Sequence, residues 1–209
     1  IKNEAEFFRF LSQTQDIHVE NFLDISRIFN AVTREENIRY SGDSKTNIVK
    51  IFDNVVVIKK RGEVAKLYQK CDLSEFEAVE HFLAIENGET FLQSEHFADE
   101  FEEEYFVYLA GYANTLTREF LKTKKVHFFL DFDIEGMNIY ESFECKSKHF
   151  HMPSKLESFF SDKRTNNVDL YKHQRARLKA EYCQELQPLA QLIGKYNTVV
   201  EQEIVYEAQ

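Results

Sequence analysis

Residues 126–140 read VHFFLDFDIEGMNIY. A β-branched and aromatic run, Val126–Leu130, stops at Asp131, and Asp133 follows two residues later. Gly136 reads as a turn, and Met137–Phe143 carries apolar residues at helical spacing. This is a strand that ends in acids and feeds a helix. The same pattern repeats on the N-terminal side. Val79–Ile85 (VEHFLAI) reads as a strand ending at Glu86-Asn87-Gly88, with a helix expected through 90–97. Tyr105–Leu109 (YFVYL) reads as a second strand and 114–122 as its helix; 149–152 reads as a fourth short strand. Strand–helix alternation predicts an α/β fold, an open and mostly parallel sheet flanked by helices. Residues 154–207 read as a helical C-terminal extension with breaks near 165–168 and near Pro188 or Gly194. Residues 1–70 read as a small N-terminal region, helical over 1–33, with a hairpin over 47–58 broken at Asp53-Asn54. The domain proper is expected over 71–209.

Composition supports a folded chain. Of 209 residues 43% are hydrophobic, and twenty are Phe, enough apolar side chain for a sizeable core. Six Gly and two Pro leave little material for a many-turned all-β fold. No apolar run reaches the roughly 18–20 residues of a membrane span. Cys71, Cys145 and Cys183 are odd in number and far apart, which predicts reduced thiols and a cytoplasmic location. The chain opens on Ile1 without a leader pattern and reads as a fragment of a longer protein.

The net charge of −10 argues at first against nucleic acid. Residues 95–104 alone hold six acids and no Lys or Arg, so the remainder carries only −4. Basic residues gather at Lys59–Lys70, at Lys122–Lys125, and at Lys172, Arg175, Arg177 and Lys179. Lys172, Arg175 and Lys179 fall at i, i+3 and i+7, which would place them on one helix face as a phosphate grip. Solvated surface charge is the plainer alternative for each cluster.

Open parallel sheets place chemistry at the carboxyl ends of their strands. On an extended chain Asp131 and Asp133 point to one side, and Glu86 joins them if the strands are neighbours. Three converging carboxylates repel unless a cation holds them, and hard oxygen donors select Mg²⁺ or Mn²⁺. Gly136 would let the backbone approach a phosphate at the helix start. A strand-end Asp serving only as a helix cap is the plainer alternative.

E-N-x-x-x-F at 86–91, followed by D-x-D-x-x-G at 131–136, resembles the Toprim domain shared by topoisomerases, primases and certain nucleases. The closer similarity is to the branch holding the topoisomerase VI A subunit and the Wadjet JetD proteins. There the third strand typically reads G-D-x-D-P-x-G; here Leu130 and Ile134 stand for the Gly and the Pro. Leu109-Ala110-Gly111-Tyr112 is similar to the G-G-Y/F turn of the JetD proteins, and Glu201-Gln202-Glu203 to their closing E-Q-E helix. Gly42–Lys45 is a weaker match. The resemblance implies a Mg²⁺-dependent DNA endonuclease module of a plasmid- or phage-defence complex, beside SMC-type ATPase subunits and acting as a homodimer. It makes Glu86 the general acid/base or a metal ligand, and Asp131 and Asp133 the metal ligands. A non-catalytic DNA-binding or subunit-docking module is the alternative, and a Toprim enzyme acting on RNA a third. Tyr40 does not match the tyrosine nucleophile of the topoisomerases, which favours hydrolysis by water. His149 and His151 at i, i+2 could ligate a softer metal but lack a third donor in the sequence. His81 and His127 read as strand residues.

Overall fold

The structure, a computed structural model, describes residues 4–15, 19–21, 23–24 and 55–204. The chain divides into two compact units, Ile1–Asn54 and Val55–Gln209. In the first, α1 (Glu4–Gln15) buries Phe8 together with Val19, and Ser12 Oγ donates to Val19 O at 3.0 Å. The rest of the 1–33 pattern beyond these stretches, the first arm of the 47–58 hairpin, Tyr40 and Gly42–Lys45 lie outside the described residues.

The second unit is built on a six-stranded sheet. Its strands are β1 (Val56–Lys60), β2 (Lys66–Tyr68), β3 (His81–Ile85), β4 (Tyr105–Tyr108), β5 (Lys125–Phe129) and β6 (Ser147–Phe150), in the order β2-β1-β4-β3-β5-β6. β4, β3, β5 and β6 are mutually parallel, and β1 runs antiparallel to both β4 and β2. The expected mostly parallel α/β sheet is therefore present, mixed by the antiparallel β1, and consistent with a Toprim-like fold. Its extent differs from the expectation. β1 and β2 belong to this sheet, so it begins well before residue 71. β1 finds described partners in β2, through a turn with Gly62 at φ 77°, and in β4. β2, with Lys66 and one exposed Leu, carries no apolar alternation that could announce it.

The helices are α2 (Gly88–Leu92), α3 (Thr115–Leu121), α4 (Ile134–Ser142), α5 (Leu156–Ser161), α6 (Val168–Gln174) and α7 (Gln187–Tyr196). Asn87, Asn114, Asp133 and Asn167 cap four of them with side-chain oxygens on first-turn N–H groups, satisfying donors that a helix cannot pair internally. Strand alternation sends phenylalanines to both sheet faces. Phe82 meets Phe120 of α3 at 5.1 Å between ring centroids, and Phe128 meets Tyr140 of α4 at 5.3 Å. On the other face Phe129 meets Phe97 and Phe101 at 5.4 and 5.8 Å. Burying each such ring contributes about 2–3 kcal/mol.

The C-terminal part is less helical than expected. Pro188 stands in the first turn of α7 and Gly194 inside it, so neither breaks a helix; a proline lacking N–H starts one without loss. Residues 178–183 are not helical. Residues 199–200 form isolated β-bridges with Asn167 and Phe132, and Glu201–Ile204 make a turn.

The order of strands locates the site. The chain leaves β3 for β4 on one side and leaves β5 for β6 on the other. The crevice at the carboxyl ends of β3 and β5 is thus the topological switch point, where open α/β sheets receive ligands. Glu86 follows β3 directly, and Asp131 lies two residues past β5.

Candidate active site

β3 and β5 are paired through Ile85 and Phe129, and Glu86 N–H donates to Phe129 O at 3.4 Å. This brings Glu86 beside Asp131, meeting the condition that their strands be neighbours. Burial, then the charges of Asp131 and Asp133, push Glu86 up to about 8. Burial and Asp133 push Asp131 up to about 7, against the Gln202 N–H that favours its charged form. Glu86 Oε2 is buried and has no hydrogen-bond partner. An orphaned, buried carboxylate oxygen costs free energy unless a proton or a cation reaches it.

Asp133 is differently placed. It is 3% exposed and serves as the N-cap of α4: Oδ1 accepts from Gly136 N–H at 2.7 Å, and Oδ2 accepts from Gln174 Nε2 at 2.6 Å. Gln174 Oε1 accepts from Ile134 N–H at 3.1 Å, so one amide ties the end of α6 to the start of α4. Burial raises Asp133, while Gly136 and Gln174 act against the rise. The helix cap weighed as the plain alternative is thus real for Asp133, and it coexists with a place in the acid cluster.

Gly136 is in the first turn of α4, not in a loop before it. A Cβ on it would stand 2.1 Å from Asp131 O. Glycine here lets the helix start against the strand end, and its N–H is occupied by Asp133 rather than presented to a phosphate.

The expected basic helix face does not form. α6 ends at Gln174; Arg175 lies in a 3₁₀ turn, Arg175–Arg177, and Lys179 in non-helical chain beyond it. Lys172 pairs with Asp169, Lys179 with Glu141, and Arg175 is exposed. The member that reaches the site is Arg177, which pairs with Glu135. The other two basic groups are spent on the fold. Lys59, Lys60 and Arg61 pair with Glu95, Glu104 and Asp99, so the acid run 95–104 neutralises them. Buried Lys124 donates to Phe76 O and Val79 O.

Two contributors were not among the expected site residues, although Gln202 lies in the E-Q-E segment. Gln174 has no sequence signal. Gln202 is fully buried; its backbone N–H donates to Asp131 Oδ1 at 2.9 Å. With its amide turned so that both neighbours are satisfied, its side chain donates to Phe129 O at 3.1 Å and accepts from Asn87 N–H at 2.9 Å. Asn87 Nδ2 in turn donates to Glu203. The E-Q-E segment, a turn here, thus clasps the ends of β3 and β5.

The turn after β4 is strained. Ala110 and Ala113 hold φ of 52° and 32°, beside Gly111 at 79°. A left-handed backbone costs an L-residue about 1–2 kcal/mol. The turn presents Tyr112, whose hydroxyl donates to Glu135 at 2.9 Å.

A second polar cluster lies at the other face of β5. His127 pairs across the ladder with His149, their rings 4.8 Å apart, and His151 is 5.5 Å from His127. The third histidine that the sequence lacked is therefore supplied by the neighbouring strand. His127 Nδ1 faces Glu103 at 3.4 Å, and burial lowers His151 to about 4. Among the described residues, no three His, Cys, Asp or Glu side chains are grouped so as to hold a metal ion, here or at the acid pocket.

A family model described as a domain of unknown function, DUF7281, matches residues 45–209. The chain belongs to this family. The matched span takes in the whole DUF7281 sheet, the acid pocket and the clasping turn. No curated protein matches the chain. Among the described residues no helix is long and apolar enough to cross a membrane.

Proposed function

We propose that the second unit is a Toprim-type, divalent-metal-dependent phosphodiesterase module whose substrate is DNA. The observation that carries this reading is the burial of Glu86 and Asp131 together at the switch point, with Glu86 Oε2 unpartnered. An all-oxygen, all-anionic donor set fits a hard dication. Glu86 and Asp131 would hold it, with Asp133, already accepting two hydrogen bonds, as the weaker third ligand. Such an ion supplies charge neutralisation at the phosphate and Lewis-acid assistance to attack and departure.

The chain's own groups complete the assignment. Glu86 would hold or move a proton at the scissile phosphate. Gln202 fixes Asp131 from its backbone, and Gln174 fixes Asp133. Cutting both strands needs two such sites, which supports a homodimer. Membership of a Wadjet-like defence complex beside SMC-type subunits rests on the motif resemblance alone.

The second reading is a non-catalytic DNA-binding or docking module. It is favoured by the lack of a ready-made three-ligand group among the described residues. Supercoiled-plasmid cleavage in Mg²⁺ and then Mn²⁺ separates the two. Nicking or linearisation by wild type, lost in Glu86→Ala, in Asp131→Ala and in chelator, is the expected result. Cleavage indifferent to both substitutions removes the assignment, and Mn²⁺ binding by Asp131→Ala at wild-type strength removes the metal site.

A further inference from the structure

Tyr112, Glu135 and Arg177 join at the rim of the acid pocket. Glu135, two residues after Asp133 in the first turn of α4, accepts from the Tyr112 hydroxyl at 2.9 Å and pairs with the Arg177 guanidinium. Both partners remain open to solvent: Tyr112 is 52% exposed, and the Arg177 side chain 61%. Neither position is a by-product of core packing. The turn that carries Tyr112 is held in left-handed backbone at three of its residues, two of them alanines, and so presents an aromatic ring at the cost of strain. Arg177 ends the three-residue turn that follows Gln174, whose side chain holds Asp133. Ring and guanidinium are therefore both anchored to the start of the one helix that Asp133 caps.

We propose that Tyr112 and Arg177 form a nucleotide clamp beside the acid pocket, the ring stacking on an unpaired base and the guanidinium gripping an adjacent phosphate. The proposal rests on the phosphodiesterase reading and narrows its substrate to single-stranded or locally unpaired nucleic acid. In a duplex the faces of the bases are covered by their neighbours, so a protruding ring finds a π-face only where a base is unstacked. A phosphate near this rim meets the carboxyl groups of the pocket and of Glu135. Arg177 and the exposed Arg175 are the cations of the same turn, and Arg177 offers a guanidinium fork whose geometry suits phosphate oxygens. Glu135 holds both groups in place until a phosphate competes for the guanidinium.

The test is fluorescence anisotropy with a labelled 20-nucleotide single strand and the matching duplex, in chelator, so that binding is read without cleavage. Wild type is expected to bind the single strand more tightly than the duplex. Tyr112→Ala is expected to weaken single-strand binding roughly tenfold and leave duplex binding nearly unchanged. Tyr112→Phe, which keeps the ring and loses the hydroxyl, is expected to bind as wild type does. Arg177→Ala is expected to reduce the dependence of log K on log salt by about one unit. Unfolding midpoints of the variants control for the fold. Equal single-strand binding by Tyr112→Ala and wild type overturns the clamp, as does an equal loss in Tyr112→Phe and Tyr112→Ala. A wild-type chain that binds neither oligonucleotide overturns it too, whatever the plasmid assay gives. Single-strand binding through Tyr112 without any plasmid cleavage upholds the clamp and tells against the nuclease reading alone.

Discussion

The backbone N–H of Gln202 donates to Asp131 Oδ1 at 2.9 Å across 71 residues of sequence. The same residue's side-chain amide bridges Phe129 O and Asn87 N–H. One buried glutamine thus holds the ends of the two strands that carry Glu86 and Asp131. Gln202→Ala keeps the bond to Asp131 but leaves Asn87 N–H without this acceptor and Phe129 O with only the long bond from Glu86 N–H. The expected cost is about 2 kcal/mol, read from urea unfolding. An unchanged midpoint would mean that the strand ends hold their own geometry and the clasp is incidental.

Gly136→Ala tests the close approach of α4 to its strand. The new Cβ meets Asp131 O at 2.1 Å, so the helix start must move and the Asp133 cap with it. A loss of about 3 kcal/mol is expected, at the upper end of overpacking costs. Nicking by the folded fraction is expected to fall with it. Wild-type stability in this variant would show that the helix start has room to shift.

The acid pocket sets the pH dependence of the metal-free chain. Glu86 rises from 4.5 to about 8 and Asp131 from 3.8 to about 7 on folding, so the folded state holds their protons more firmly. Their contribution to stability is full below the unfolded values and is lost as pH rises through the folded ones. His151 works the other way: lowered from 6.5 to about 4, it costs about 3 kcal/mol progressively as pH falls from 6.5 toward 4. The difference between Glu86→Gln and wild type isolates the carboxyl. In chelator the variant is expected to match wild type near pH 4.5 and to gain stability over it up to pH 8. Mg²⁺ is expected to raise the wild-type melting temperature at pH 8 and leave that of Glu86→Gln nearly unmoved. Parallel melting curves across that range would remove the buried-charge argument.

Ala110→Gly addresses the strained turn. At φ 52° an alanine bears the left-handed penalty that glycine escapes, while glycine loses more entropy on folding. The net expectation is a gain of about 0.5–1 kcal/mol in thermal unfolding. Destabilisation would mean that the alanine methyl packs well enough to offset the strain.

The sheet was legible because its signals are local. Short apolar runs ending in acids or Gly marked β3, β4 and β5, and Asn114 marked the start of α3. The acid pocket was legible only on the condition that β3 and β5 are neighbours, which alternation permits and the order β4-β3-β5 supplies. What escaped depends on tertiary context. Lys172, Arg175 and Lys179 share a face only if the helix continues, and α6 stops at Gln174. Basic clusters looked like surfaces because sequence does not show that Glu95, Asp99 and Glu104 come to meet Lys59, Arg61 and Lys60. Gln174 and Gln202 act by hydrogen bonds that reach Asp133 and Asp131 over 41 and 71 residues, and no periodicity encodes these.

The clasp also orders the assembly of the site in time. Contacts among β3, β4 and β5 close loops of a few tens of residues, whereas the Gln202–Asp131 contact waits for everything between them. During that interval the acids face water, ionised and harmless to the fold. Their burial is expected to conclude folding, so that in pulse-labelled exchange the Gln202 amide gains protection after those of β5.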